Sequence, residues 1–209
     1  MKIHLYYITL LFFTFSAYGK TILESGTSDF FKIQKSQQGN ELEVEVFNLH
    51  GTLLSSEKIL LGETNFKNYS WSQLQTGEKV ELELKKNKLQ FKSEHKKKTI
   101  ELSDDQLKKI VLPPLLTNSL LERIKKNPVA DTFEVTVIVP DKMMTLDFNF
   151  VKEVQNKDQS VWVLKPNSFF VGLIVGPVTM VFDKELKLLK IKDIMLPIKP
   201  TQKTDIIFK

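Results

Sequence analysis

The sequence predicts a mainly β protein: a curved antiparallel sheet or incomplete β-barrel covered by two or three short helices. Three observations point there. Apolar residues recur at every second position through most of the chain, the pattern of strands with one wet face. The turn signals between these runs are of hairpin length, which joins neighbouring strands antiparallel. Helical spacing is confined to one central block, so no strand–helix–strand alternation builds a parallel sheet. About nine or ten strands are expected from the number of such runs.

The first run, 41–47, sets Leu42, Val44 and Val46 against Glu41, Glu43 and Glu45. Asn48 to Gly51 is a turn signal, and 52–61 pairs back. Val80, Leu82 and Leu84 repeat the pattern against Glu81 and Glu83, with return strands starting at Leu89 and Thr99. The character then changes. Ser103 with Gln106 forms a capping box, and Leu107, Ile110 and Val111 follow at helical spacing until Pro113-Pro114. Thr117 or Asn118 is expected to cap a second helix carrying Leu120, Leu121 and Ile124 inward. Strands resume over 132–139, 143–154, 159–164, 178–182 and 187–194. Ser168 is expected to cap a short apolar helix over 169–175, and 205–208 to pair on an edge.

Residues 1–19 read as a cleavable secretory signal: Lys2, an apolar run from Leu5 to Phe15, then Ala17 and Gly19 at the spacing a signal peptidase requires. The expectation is an exported, periplasmic or secreted protein, cleaved after Gly19, with 20–209 forming a single β-rich domain. There is no cysteine, which removes disulfides, thiolate metal sites, a cysteine nucleophile and a lipid anchor on cysteine. The formal net charge is +5, carried almost wholly by lysine; Arg123 is the single arginine. Phosphate and base recognition favours arginine forks, so nucleic acid is not an expected partner.

The chemistry-bearing residues are sparse. His50 and His95 fall in turns, away from carboxylate clusters, and read as exposed turn histidines. The two histidines beyond the signal segment, without cysteine, do not make a zinc site, and no metal or other cofactor is expected. The glutamates of 41–45 and 81–83 have period two and read as a solvated sheet face rather than paired catalytic carboxylates. No nucleophile elbow, phosphate loop or dinucleotide fingerprint is present, and no catalytic residue is expected. Two segments carry apolar interest. Tyr69 and Trp71 precede a Gly77-Glu78 turn, and 166–177 is apolar nearly all round.

The order of these parts, ending in Gly176-Pro177, Phe182-Asp183 and Leu188-Leu189-Lys190-Ile191, resembles bacterial periplasmic proteins of unknown function built like the half-barrel carriers and receptors that sort outer-membrane lipoproteins (LolA/LolB-like). The resemblance implies an incomplete antiparallel barrel with helices across its mouth, holding acyl chains. The carrier of that family works with arginine near its cavity, whereas Arg123 here falls in a helix.

The function expected is a non-enzymatic binding module for a lipid or other apolar ligand, with a lipid or lipidated protein as partner and peripheral contact with a membrane. Its ligand-binding residues are expected to be Trp71, Leu120, Leu121, Phe148, Phe150, Phe169, Phe170 and Met180. The alternatives are a cell-envelope structural or interaction protein without a ligand cavity, and an enzyme of unrecognised type.

Overall fold

The structure is a computed structural model that describes residues 21–62, 65–168, 176–195 and 203–208. Its strands are β1 (Thr21–Thr27), β2 (Phe31–Gln38), β3 (Glu41–Asn48), β4 (Leu53–Leu61), β5 (Phe66–Gln73), β6 (Lys79–Lys85), β7 (Lys88–Ser93) and β8 (Lys97–Glu101). A helical block follows, with α1 (Asp104–Lys109), the two-residue strand β9 (Ile110–Val111), a 3-10 turn at Pro113–Leu115 and α2 (Leu116–Lys126). The second strand group is β10 (Thr132–Val139), β11 (Met144–Gln155), β12 (Gln159–Pro166), β13 (Val178–Asp183), β14 (Leu188–Met195) and β15 (Lys203–Phe208). The signal segment and the apolar helix expected over 169–175 lie outside the described residues.

All 15 strands belong to one sheet, in the order β8-β7-β6-β5-β4-β3-β2-β1-β15-β14-β13-β12-β11-β10-β9. The mainly β fold class and the curved open sheet hold. The strand number is higher than the alternation suggested: β1, β2 and β5 set polar residues among their buried ones, and β9 is only two residues long. Three local expectations are corrected. Ile110 and Val111 leave the helix and form β9, which pairs parallel to β10 at Thr136 and Val137. Neither Thr117 nor Asn118 caps α2: the 3-10 turn of Pro113-Pro114 runs directly into it, so Thr117 is already helical and buried. The stretch 205–208 is no edge. β15 sits between β14 and β1 and stitches the two strand groups into one sheet. The capping box on α1 is present as expected, with Ser103 accepting from the Gln106 backbone and Gln106 accepting from the Ser103 backbone.

The sheet does not close; it winds past itself. One core cluster gathers the inner faces of β3–β8 (Leu42, Ile59, Trp71, Leu82, Phe91) with Ile110, Leu112 and Ile138 from β9, the following residue and β10. The other gathers Val111, Val135 and Val137 with Phe148, Phe150, Trp162, Met180 and α2. Odd and even residues of β9 and β10 therefore feed different cores. The β9–β10 end is sandwiched inside the curl, with the β3–β8 wall behind it and α2 in front. Asn65 closes the joint by donating from Nδ2 to the Ile110 carbonyl at 3.0 Å. This is the geometry of a spiral, in which two overlapping layers share one sheet.

Candidate functional site

Inner-face positions on β1–β5 would be apolar in a simple half-barrel. Here several are charged or polar. Lys35 on β2 points inward, with 7% of its side chain exposed. Its Nζ donates to Asn118 Oδ1 on α2 at 3.2 Å and lies 3.5 Å from Glu24 Oε2 on β1. Glu24 is the direct cross-strand partner of Lys35, which is why their side chains share a face. Removing an ammonium from water costs several kcal/mol, and one partly exposed carboxylate offsets that only in part.

Glu57 on β4 lies further along the same face, opposite Trp71 and Val44. Some of its surface reaches solvent, but protein surrounds the carboxyl group. Burial pushes its pKa up to about 7, against the lowering effect of the hydrogen bond that Tyr69 donates at 2.9 Å. Burial also raises the Tyr69 phenol, helped by the charges of Glu57 and of Asp141 in the turn after β10. Glu57 and Tyr69 thus sit where the inner layer meets the outer wall. Sequence reasoning missed Lys35 and Glu57. Glu57 looked like one more hairpin charge, and the signal that exposes it is its parity with Ile59, which is fully buried.

The structure brings together five of the expected ligand-binding residues. Leu120, Phe148, Phe150 and Met180 are buried in one cluster, with Leu121 partly buried against it. Trp71 belongs to the other cluster, across the β9–β10 layer. Phe169 and Phe170 lie outside the described residues. The five pack on one another and on Trp162. α2 is the element that covers them, tied at one end by the Lys35–Asn118 bond and at the other by Arg123 Nη2 donating to the Lys108 carbonyl at 3.4 Å.

Two depressions lie elsewhere. An open trough of about 600 Å³ crosses the outer face of β3–β8, between Lys58, Asn68, Glu83, Gln90, Lys92 and Thr99. It ends at β8, which has no strand beyond it among the described residues. The glutamates of β3 and β6 point to this outer side, as their alternation requires. A smaller pocket of about 170 Å³ lies between α1 and β10. There Lys109 bridges Asp105 and Glu134, and these two hydrogen bonds raise its pKa. That bracket pins α1 to the sheet. Among the described residues no three histidine, aspartate or glutamate side chains are placed to hold a metal ion.

No family model and no curated protein matches the chain. Among solved structures it is similar to a β-barrel-like protein of the domain of unknown function DUF1849 from Brucella abortus, at 8% identity, over 90% of this chain and 93% of that one, with a TM-score of 0.44.

Proposed function

We propose that this protein is a non-enzymatic, exported binding module for a lipid or other amphiphile, held on the inner face of the sheet beside α2. The observation that supports the reading is Lys35, an inward ammonium on a wall facing an apolar cluster. An amphiphile has the matching division. Its acyl chain lies between Leu120 and Leu121 of α2 and Phe148, Phe150 and Met180 of the sheet, and its anionic head takes the place of Glu24 or Asn118 at Lys35. Apolar burial supplies affinity at about 25 cal/mol per Å² before ordering losses. α2 is the gate, and the Lys35–Asn118 bond is its latch.

The test is native mass spectrometry of the protein recovered from the cell envelope, followed by lipid extraction and titration with a fluorescent fatty acid. A co-purifying acyl ligand is expected, and Lys35→Met weakens the fatty acid about ten-fold or more, the loss of one charge-assisted hydrogen bond. A ligand-free protein that also ignores added amphiphiles would remove the reading. It would favour the second one, an envelope interaction protein whose partner lies in the outer trough and pairs with the free edge of β8.

A further inference from the structure

The antiparallel order sends the β1–β2, β3–β4, β5–β6 and β7–β8 turns to one rim of the sheet. Three of these carry an unusual set of side chains. In the β3–β4 turn Leu49 is 48% exposed, and in the β5–β6 turn Leu74 is 53% exposed. Neither needs to project for the fold's sake. The β3–β4 turn is closed by its own bonds, from Asn48 N to the Thr52 carbonyl and from the Thr52 and His50 amides to Asn48 Oδ1. The β5–β6 turn is closed by Gln73 N to the Glu78 carbonyl and Gly77 N to the Gln73 carbonyl, with Leu74 N bonded back to Leu54. These bonds leave the leucine side chains on rigid tips.

The third turn, β7–β8, carries Lys96, and Lys97 and Lys98 open β8 directly after it. Lys96, Lys97 and Lys98 are exposed, as is Lys79 at the base of the neighbouring turn, and none of the four has an ion pair among the described residues. The acidic groups on these tips are Glu78 and Glu94, with Glu94 3.8 Å from His95. On these three tips Lys79, Lys96, Lys97 and Lys98 outnumber Glu78 and Glu94, so this rim is net positive. Strands lie ~4.8 Å apart, which puts successive tips ~10 Å from each other on one edge. Pairs of rigid apolar tips flanked by unpaired lysines fit a surface that is apolar just beneath an anionic layer, and an anionic bilayer has that profile.

We infer that this rim docks the protein peripherally on an anionic membrane, Leu49 and Leu74 entering the acyl boundary and Lys79, Lys96, Lys97 and Lys98 meeting the head groups. It goes beyond inner-face binding, since no docking residue belongs to α2 or to the cluster that α2 covers. The four lysines act through net charge, so docking weakens with salt as exposed charges are screened.

The experiment is co-sedimentation of protein purified from the exporting cell with vesicles of phosphatidylcholine alone or with 30% phosphatidylglycerol, comparing wild type with Lys96→Gln/Lys97→Gln/Lys98→Gln and with Leu49→Ser/Leu74→Ser. All three proteins carry the same N-terminus, so any contribution of that segment cancels. Binding to the anionic vesicles is expected, with a loss of about a hundred-fold in the triple lysine variant at low salt. A loss of about ten-fold is expected in the leucine pair. Circular dichroism melting confirms that each variant is folded, which exposed turn positions permit. Equal binding of wild type and lysine variant overturns the proposal. So does binding to heparin as strong as to vesicles with no effect of the leucines, which would mark a general polyanion site.

Discussion

The two strand groups obey the same alternation rule but show it differently. On β3 and β6 buried and open residues alternate cleanly, with Leu42, Val44 and Val46, or Val80 and Leu82, turned inward. On β10 four successive residues, Val135 to Ile138, are buried, and on β12 Trp162, Val163 and Leu164 are. The difference is one of position in the spiral. β3–β8 form the outermost wall and meet water on one face. β10 is the inner turn, with Ile138 in one core and Val135 and Val137 in the other. A strand covered on both faces has no reason to alternate in polarity. Both groups admit charge: the first carries Lys35 and Glu57 inward, and in the second Lys152, the cross-strand neighbour of Trp162, lies 5.3 Å from the centre of its ring.

The joint between the layers is where this contrast is most easily broken. Ile138→Ala, which leaves a cavity against the β3–β8 wall, is expected to lower unfolding free energy by about 2–5 kcal/mol. Amide exchange should then rise in β3–β8 as well as in β10. Confinement of the faster exchange to β9–β11 would mean that the two layers are not one cooperative unit.

Glu57 sharpens the comparison through pH. Its folded pKa of about 7 lies above the ordinary glutamate value of 4.5, so between these the folded protein holds a proton that the unfolded chain releases. The stabilisation relative to a charged carboxylate is complete below pH 4.5, falls as pH rises to about 7, and stays lost above. Glu57→Gln is therefore expected to be more stable than wild type at pH 8 by on the order of 2–3 kcal/mol, and to match it near pH 4. Chemical denaturation at both pH values measures it. A constant difference between them would place the titration elsewhere.

The smallest expected effect is at the seam between the groups. A Cβ on Gly26 would approach Ile206 Cγ2 to 2.6 Å and Phe208 Cε1 to 3.0 Å. Gly26→Ala forces those side chains aside where β1 meets β15, at an expected loss of about 1–2 kcal/mol. A thermal melt reads it, and an unchanged melting temperature would mean that β15 is held by β14 alone.

Much of the fold was readable from local pattern, because polarity period, turn residues and the Ser103–Gln106 box act over a few residues. α2 was found from Leu120, Leu121 and Ile124, while its start was misplaced because nothing local tells a 3-10 turn at Pro113 from a stop. β9 was read as helix because Ile110 and Val111 suit either period. Of the candidate site, the apolar members on β11, β13 and α2 were identified by their alternation or helical spacing. Lys35 and Glu57 were not, since a lone charge in a strand carries no mark of which way it faces.

By itself the sequence determined that this is a β protein of hairpin-linked strands with a central helical block and charged outer faces. Those properties depend on contacts between near neighbours in the chain. Only the tertiary structure decided that β15 joins the two groups, that the β9–β10 end lies inside the curl, and that Lys35 meets Asn118 across 83 residues. Each of these is a long-range pairing, chosen by which faces are buried together in the folded chain, and residue spacing holds no record of that choice.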